Sequence, residues 1–134
     1  DCRPRRAGNQ WMLQYIMNPH VDVVTVDGAI GQQLLADEMY DMKLGTPIFP
    51  KVREIILANS TFESGIYSKT LCHSGQPSLA QVVSNCDKRA IGSNGGFGYK
   101  SLVDELEIAL MDSAILAYWQ CSESKEKKKQ KVSY

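Results

Sequence analysis

The 134-residue chain lacks several features that usually reveal the class of a protein. Lysines and arginines together number 15, as do aspartates and glutamates, so the net charge gives no argument for a nucleic-acid partner. No apolar run approaches the ~18 residues of a membrane-spanning helix, and no signal-peptide pattern is present. With 43% hydrophobic residues, the composition is that of a globular domain. We therefore expect one cytoplasmic domain without a membrane partner.

Two kinds of site are excluded by missing residue patterns. The four cysteines, Cys2, Cys72, Cys86 and Cys121, are widely spaced and form no Cys-x-x-Cys pair, which argues against a zinc knuckle or a redox motif. No Gly-Lys pair occurs, so the Gly-Lys-Ser/Thr end of a P-loop is missing and no ATP site is expected. We therefore interpret the glycine-rich stretch GSNGGFGYK, residues 92–100, as a mobile connector.

Positive charge is concentrated near the two ends of the chain. The clusters are Arg3, Arg5 and Arg6 at the start, and Lys125, Lys127, Lys128, Lys129 and Lys131 at the end. Such runs are most often solvated, and the composition after Cys121 predicts a basic disordered tail over residues 122–134. The alternative is contact with phosphate groups, which would be independent of base sequence.

Hydrophobic periodicity predicts a mixed α/β chain. The predicted helices cover residues 9–18, 29–42, 51–66, 77–86 and 102–120, and the predicted strands cover 21–26, 46–50 and 88–91. The valine-rich strand 21–26 and the helix after it form half of a βαβ unit. Residues 46–50 are therefore the expected parallel neighbour, although two prolines weaken that strand.

Asp27 follows the valine-rich strand, at the point where the chain turns towards a helix. In open α/β sheets this carboxyl edge is where ligands and metals are usually held. A second explanation is that Asp27 caps the helix predicted to begin near Ala29, a role that aspartate performs well. The local sequence leaves both roles open.

Asp112 lies within ALMDSAILAYW, the most apolar helical segment of the chain. A buried, ionised carboxylate is costly unless it is paired or bound to a cation. Asp104 and Glu105 lie eight and seven positions earlier, on roughly the same predicted helical stripe. Several carboxylates on one face indicate a hard divalent cation such as Mg²⁺ or Mn²⁺. The alternative is an ordinary polar edge of an amphipathic helix.

Cys72 and His73 are adjacent, which raises the possibility of a nucleophilic pair. Such a pair needs a third, orienting group, and the sequence reveals none. A structural histidine at the start of a turn is the favoured interpretation.

Four segments carry a resemblance to a known family. LCHSGQPSLAQVVSNC, residues 71–86, resembles the L-x-H-G-G-N-P-x-L-x-x-x-V-S-N segment in the nuclease part of phage large terminase subunits. GYKS at 98–101 is similar to that family's Lys-Ser segment, and ALMDSAILAYW is similar to its final helix. VDGAIGQQL is similar to its strand–Asp–turn–helix segment. The resemblance extends from Val21 to Trp119.

The resemblance implies a ribonuclease H-like fold, a mixed sheet flanked by helices, here without its first strands, in a partial nuclease domain over residues 1–121. It implies a two-metal endonuclease that cuts double-stranded viral DNA for packaging, with Mg²⁺ or Mn²⁺ as cofactor. Asp27 and Asp112 match two of the family's carboxylates and are the expected catalytic and metal-binding residues. Glu105 is a further candidate ligand.

The remaining roles that the resemblance implies concern DNA and the surroundings of the site. Lys100 and Arg89 are expected to contact the DNA backbone, and His73 and Asn85 are expected to be structural residues near the site. Partners would be other terminase or portal components, in the cytoplasm of a host cell, with a phage or prophage gene as the source.

No residue matches the family's first carboxylate. Asp1 precedes Cys-Arg-Pro-Arg-Arg, which cannot form a central strand, and Asp22 is an odd number of positions from Asp27, so the two face opposite sides. Two functions therefore stay open. One is a catalytic endonuclease module, and the other is a non-catalytic DNA-binding or docking remnant of a terminase large subunit.

Overall fold

The computed structural model describes residues 3–28 and 31–131, and the chain divides into two compact units, Asp1–Pro50 and Lys51–Tyr134. The described residues form five helices and a two-stranded antiparallel sheet, which confirms the predicted mixed α/β class. In chain order the elements are α1 (Gln10–Ile16), α2 (Gln32–Asp41), α3 (Val52–Tyr67), α4 (Pro77–Ser84), β1 (Cys86–Ile91), β2 (Gly96–Ser101) and α5 (Ala109–Lys131). None of these described helices is long and apolar enough to cross a membrane.

The first unit is built on contact between α1 and α2. Four buried apolar side chains form its core, namely Leu13 and Ile16 from α1 and Leu35 and Met39 from α2. Asn9 Nδ2, just before α1, donates a hydrogen bond of 2.6 Å to Glu38 Oε2 on α2. The core of the first unit is therefore formed by apolar side chains that the two helices bring together.

The predicted parallel neighbour of the valine-rich segment is present as a single parallel bridge, Thr25 with Ile48. The Ile48 N–H donates to the Val24 carbonyl at 2.8 Å, and the Val26 N–H donates to the Ile48 carbonyl at 2.9 Å. The next donor in this parallel pattern would be Pro50, which has no N–H. The pairing therefore ends after one bridge, and the strand predicted over 21–26 is present only as this bridge at Thr25.

The second unit has its core between α3 and α5. The buried residues of this core are Ala58, Phe62, Met111, Ile115, Leu116 and Trp119. Close approach of the two helices depends on Gly65, because a Cβ at that position would lie 2.5 Å from Tyr118 Oη. Tyr118 Oη also lies 2.9 Å from Thr70 Oγ1, a hydrogen bond that ties the end of α3 to α5.

The glycine-rich stretch predicted as a mobile connector is part of a β-hairpin, so that prediction is wrong. Residues 92–95 form the turn, and β2 pairs with β1 along six residue pairs. A Cβ on Gly96 would lie 2.7 Å from Ile56 Cδ1 of α3, and one on Gly98 would lie 2.7 Å from Ile91 Cδ1. These glycines therefore allow close packing of the strand against Ile56 and Ile91. Close approach of a neighbouring group is a common reason for glycine within a strand.

The last helix begins later than predicted. Residues 102–108 are not helical, and α5 begins at Ala109. The Val103 N–H donates to Ser101 Oγ at 3.2 Å, and this hydroxyl also bonds to the Val103 carbonyl. Such local side-chain bonds compete with helix formation. Asp104 and Glu105 consequently lie outside α5, and the predicted helical stripe linking them to Asp112 is wrong.

Candidate functional site

Asp112 lies in the first turn of α5 and is partly buried. Its backbone N–H donates to the carbonyl of Ile108, the residue just before α5, at 3.1 Å. A negative charge near a helix N-terminus is favourable because it faces the positive end of the helix dipole. The late start of α5 thus provides a favourable position for a carboxylate that the sequence places in an apolar helix.

The group that the structure brings close to Asp112 is the thiol of Cys86, at the start of β1. Partial burial raises the pKa of Cys86, and the negative charge of Asp112 raises it further. Cys86 Sγ donates a hydrogen bond to the Val82 carbonyl at 3.2 Å. The folded protein therefore favours the neutral thiol more strongly than the unfolded chain does. No pattern in the sequence associates residues 86 and 112, which are distant in the chain.

Asn85 connects the end of α4 to the segment after the hairpin. Its Nδ2 donates to Ser101 Oγ at 2.7 Å, and its carbonyl accepts a 2.8 Å hydrogen bond from the Leu102 N–H. Both hydrogen bonds hold the start of the segment that connects β2 to α5. The geometry is consistent with the structural role expected for Asn85.

His73 and Cys72 lie in the exposed segment between α3 and α4. His73 Nδ1 accepts a 3.0 Å hydrogen bond from the Gly75 N–H, so this ring nitrogen takes part in a turn. The Cys72 thiol is free and exposed. The turn contact favours the structural role of His73 over a nucleophilic pair.

The two residues expected to contact DNA are both on the hairpin and both exposed. Arg89 Nε donates to the Tyr99 carbonyl at 3.1 Å, which holds the guanidinium group across the strands. Lys100 is directly opposite Asp87, and its Nζ lies 3.8 Å from Asp87 Oδ2. Exposed pairs of this kind contribute little energy, so Lys100 can exchange Asp87 for another anion at small cost.

A third basic residue of the hairpin has a different environment. Lys88 Nζ lies 2.6 Å from Glu63 Oε1 of α3 and 4.5 Å from the centroid of the Phe97 ring. The second carboxylate oxygen, Glu63 Oε2, is buried and has no hydrogen-bond partner among the described residues. These contacts connect the hairpin to α3, so Lys88 positions the strands that carry Arg89 and Lys100.

Tyr99 packs beside this ion pair and is partly buried. Burial raises the pKa of Tyr99 above its usual value of 10.0, and the negative charge of Glu63 raises it further. The folded protein therefore favours the neutral phenol more strongly than the unfolded chain does.

We predict that Tyr99 makes the protein less stable as pH rises beyond ~10. Unfolded chains release the phenol proton there, whereas the folded state retains it to higher pH, so alkali favours unfolding. Urea denaturation at several pH values between 8 and 11 should show the stability difference between wild type and Tyr99→Phe shifting against wild type as pH rises. Tyr40→Phe, at a tyrosine that is 76% exposed, is the control and should show no such trend. If the stability difference between wild type and Tyr99→Phe did not change with pH, the assignment of a raised pKa to Tyr99 would be wrong.

Asp27 is exposed and directly follows the residues of the parallel bridge. The position before the first residue of α2 is occupied by Gly31, at φ +83°, and α2 begins at Gln32. Asp27 is therefore not the N-cap of α2, and that explanation of the carboxylate is wrong. Ala29 and Ile30, where the sequence placed the start of this helix, lie outside the described residues.

The chemistry of the carboxylates fits a hard divalent cation, because Mg²⁺ and Mn²⁺ prefer oxygen ligands. Asp27 belongs to the first unit and Asp112 to the second, and Glu105 is exposed in the turns before α5. Within residues 3–28 and 31–131, no group of three or more His, Cys, Asp and Glu side chains is arranged to hold a metal ion.

Comparison of the chain with protein-family models, with curated proteins and with solved structures finds no match. The likeness to terminase nucleases therefore depends on the four segments quoted above.

Proposed function

We propose that the chain is a metal-dependent endonuclease module of a viral DNA-packaging terminase, with a ribonuclease H-like arrangement. The observation that carries the proposal is the position of Asp27. It is an exposed carboxylate two positions after Thr25, which forms an isolated parallel bridge with Ile48, and it does not cap the following helix. The carboxyl ends of parallel strands are where open α/β sheets hold their ligands.

In this proposal Asp27 and Asp112 would hold the cations, and Glu105 is a further candidate ligand. Bound Mg²⁺ or Mn²⁺ ions would supply an activated water and stabilise the leaving oxygen of the phosphodiester. Asp112 lies in the first turn of α5, close enough to Cys86 for its charge to act on the thiol. Its carboxylate is thereby fixed by a helix rather than by a loop, which favours precise ligand placement.

Double-stranded DNA is the proposed substrate, with Arg89 and Lys100 as contacts to its backbone. Both are exposed cations on a hairpin that the Lys88–Glu63 ion pair connects to α3. Contacts with phosphates position a duplex without reading its sequence. Assembly with other terminase or portal components, in the cytoplasm of a host cell, belongs to the same proposal.

A second candidate is a non-catalytic DNA-holding remnant of a terminase large subunit. It is favoured by one observation, the absence of a match for the family's first carboxylate. It shares the proposed hairpin contacts but requires no metal.

Conversion of supercoiled plasmid to the open-circular form tests the proposed activity. The purified chain should nick the plasmid with Mn²⁺ or Mg²⁺ and should stop when EDTA is added, because hydrolysis requires the bound cation. Activity that persists in EDTA would contradict the proposal. Metal-independent DNA binding without nicking would support the non-catalytic remnant instead.

A further inference from the structure

The α5 helix has two parts with different composition. Its first part carries the core residues Met111, Ile115, Leu116 and Trp119. Beyond Trp119, none of the side chains that the structure describes, up to Glu126, is buried. The backbone nevertheless continues as one helix to Lys131, over positions where the composition predicts a disordered tail. The end of α5 is therefore an extension of a helix that is anchored in the core, and it contributes no described residue to that core.

This extension concentrates positive charge. Lysine occupies five of the last seven positions of α5, at 125, 127, 128, 129 and 131, whereas residues 122–131 contain two glutamates. Since the whole chain is neutral, the remainder carries a net negative charge. The end of α5 and the rest of the chain therefore have net charges of opposite sign. The positive end is attached to the same helix that presents Asp112 in its first turn.

We propose that the lysine-rich end of α5 is a second contact for the DNA backbone, at a distance from Asp112 that the helix fixes. This inference rests on the proposed function, which makes DNA the substrate. Lys125 lies 13 positions and Lys131 lies 19 positions beyond Asp112. At ~1.5 Å per residue these positions are ~20 and ~28 Å along the helix. At ~3.4 Å per base pair, the same lengths correspond to ~6 to 8 base pairs of duplex.

The arrangement of the lysines favours a polyanion over a docked protein. At ~100° per residue, positions 125, 128 and 129 fall on one side of the helix and positions 127 and 131 on the opposite side, so the five lysines do not form a single stripe. A protein partner recognised by a helix usually meets a stripe of residues three or four positions apart. A continuous line of phosphates accepts charge from several directions, and lysine binds phosphate as a flexible point charge.

Fluorescence anisotropy with labelled duplexes of 6, 12 and 24 base pairs tests this proposal. Buffer containing EDTA keeps the DNA intact, so binding is measured independently of cleavage. The test variant replaces Lys127, Lys128 and Lys129 with glutamine, a good helix former. The matched control replaces Lys43, Lys51 and Lys69 with glutamine, which removes the same charge from exposed positions elsewhere. Circular dichroism verifies that both variants are folded.

For the test variant, the slope of log affinity against log salt concentration should become shallower by ~2 to 3, since each phosphate contact contributes ~0.9. The affinity of wild type for the 24-base-pair duplex should exceed its affinity for the 6-base-pair duplex. In the test variant this ratio should be at least ~10-fold smaller, which is the loss expected when several backbone contacts are removed. The control should alter the slope by less than ~1, the value of a single contact. Replacement of the same three lysines with arginine should retain the wild-type slope, because the charge is preserved.

Equal slopes and equal length dependence for the two glutamine variants would overturn the proposal. The same measurement is made with labelled poly-glutamate in place of DNA. If the glutamine test variant loses binding to poly-glutamate but binds DNA as wild type does, the partner is an acidic polypeptide and the proposal is overturned. Failure of the nicking assay together with intact lysine-dependent DNA binding would refute the endonuclease activity and leave this second contact supported.

Discussion

Replacement of Asp112 with asparagine is expected to lower the initial rate of Mn²⁺-dependent plasmid nicking at least ~100-fold. Changes to groups that only support a metal ligand typically cost 10- to 100-fold, so loss of a direct carboxylate ligand should cost at least the upper value. Asparagine retains the size of the side chain and removes its charge, which limits the effect on packing. The conversion of supercoiled to open-circular plasmid gives the rate, and Asp27→Asn should show a loss of the same order.

The control for this prediction is Asp41→Asn, at an exposed carboxylate at the end of α2. It removes the same charge and should leave the nicking rate within ~2-fold of wild type, since surface substitutions rarely perturb the fold. The competing role for Asp112 is interaction with the α5 dipole alone, which is worth only ~0.3 to 1 kcal/mol of stability. Full nicking activity in Asp112→Asn, with a slightly lower stability, would show that the helix-dipole role is the correct one.

Replacement of Phe62 with alanine is expected to lower the free energy of unfolding by ~3 to 5 kcal/mol, the usual cost of truncating a buried phenylalanine. Phe62 is 6% exposed, lies in the core between α3 and α5, and makes an edge-to-face contact with Tyr118 at 6.1 Å between ring centroids. The alanine would leave a cavity where both helices meet. Urea denaturation should show a lower midpoint with an unchanged slope.

Tyr67→Ala is the matched aromatic control, because Tyr67 is on the same helix and is 78% exposed. Its effect should stay within ~0.5 kcal/mol, the range of ordinary surface substitutions. If Phe62→Ala destabilised the protein no more than Tyr67→Ala, the assignment of the α3–α5 interface as the core of the second unit would be wrong.

The sequence predicted those elements whose signals are local. The apolar spacing in Val52–Tyr67 and in Pro77–Ser84 predicted α3 and α4 to within a few residues. The valine-rich segment and Ile48 were correctly predicted as parallel neighbours. Pro50 explains why that pairing is so short, and this limit follows from backbone chemistry alone.

The elements that the sequence did not predict depend on contacts between distant residues. Gly96 and Gly98 look like flexible linker residues until Ile56 and Ile91 are packed against them. The start of α5 was misplaced because Leu102 and Leu106 continue its apolar spacing, whereas the Ser101 hydroxyl holds a turn instead. Periodicity has no information about either contact, since both arise from tertiary structure.

The same reasoning applies to the candidate site. The sequence directed attention to Asp27 and Asp112 as isolated carboxylates, and the structure places Asp27 two positions after an isolated parallel bridge and Asp112 in the first turn of α5. It could not indicate that Cys86 lies near Asp112. Nor could it reveal the ion pair between Lys88 and Glu63, residues 25 positions apart. Pairings of this kind have no sequence spacing rule outside helices and strands.

Direct measurement of Mn²⁺ binding tests the central claim, that Asp27 and Asp112 hold divalent cations. Titration of the chain with Mn²⁺, followed by the loss of the free-ion signal in electron paramagnetic resonance, should give saturable binding to wild type and to Asp41→Asn. Binding should weaken at least ~10-fold in Asp27→Asn and in Asp112→Asn, because each variant loses a carboxylate oxygen ligand. Identical Mn²⁺ affinity in wild type and in both variants would contradict the account.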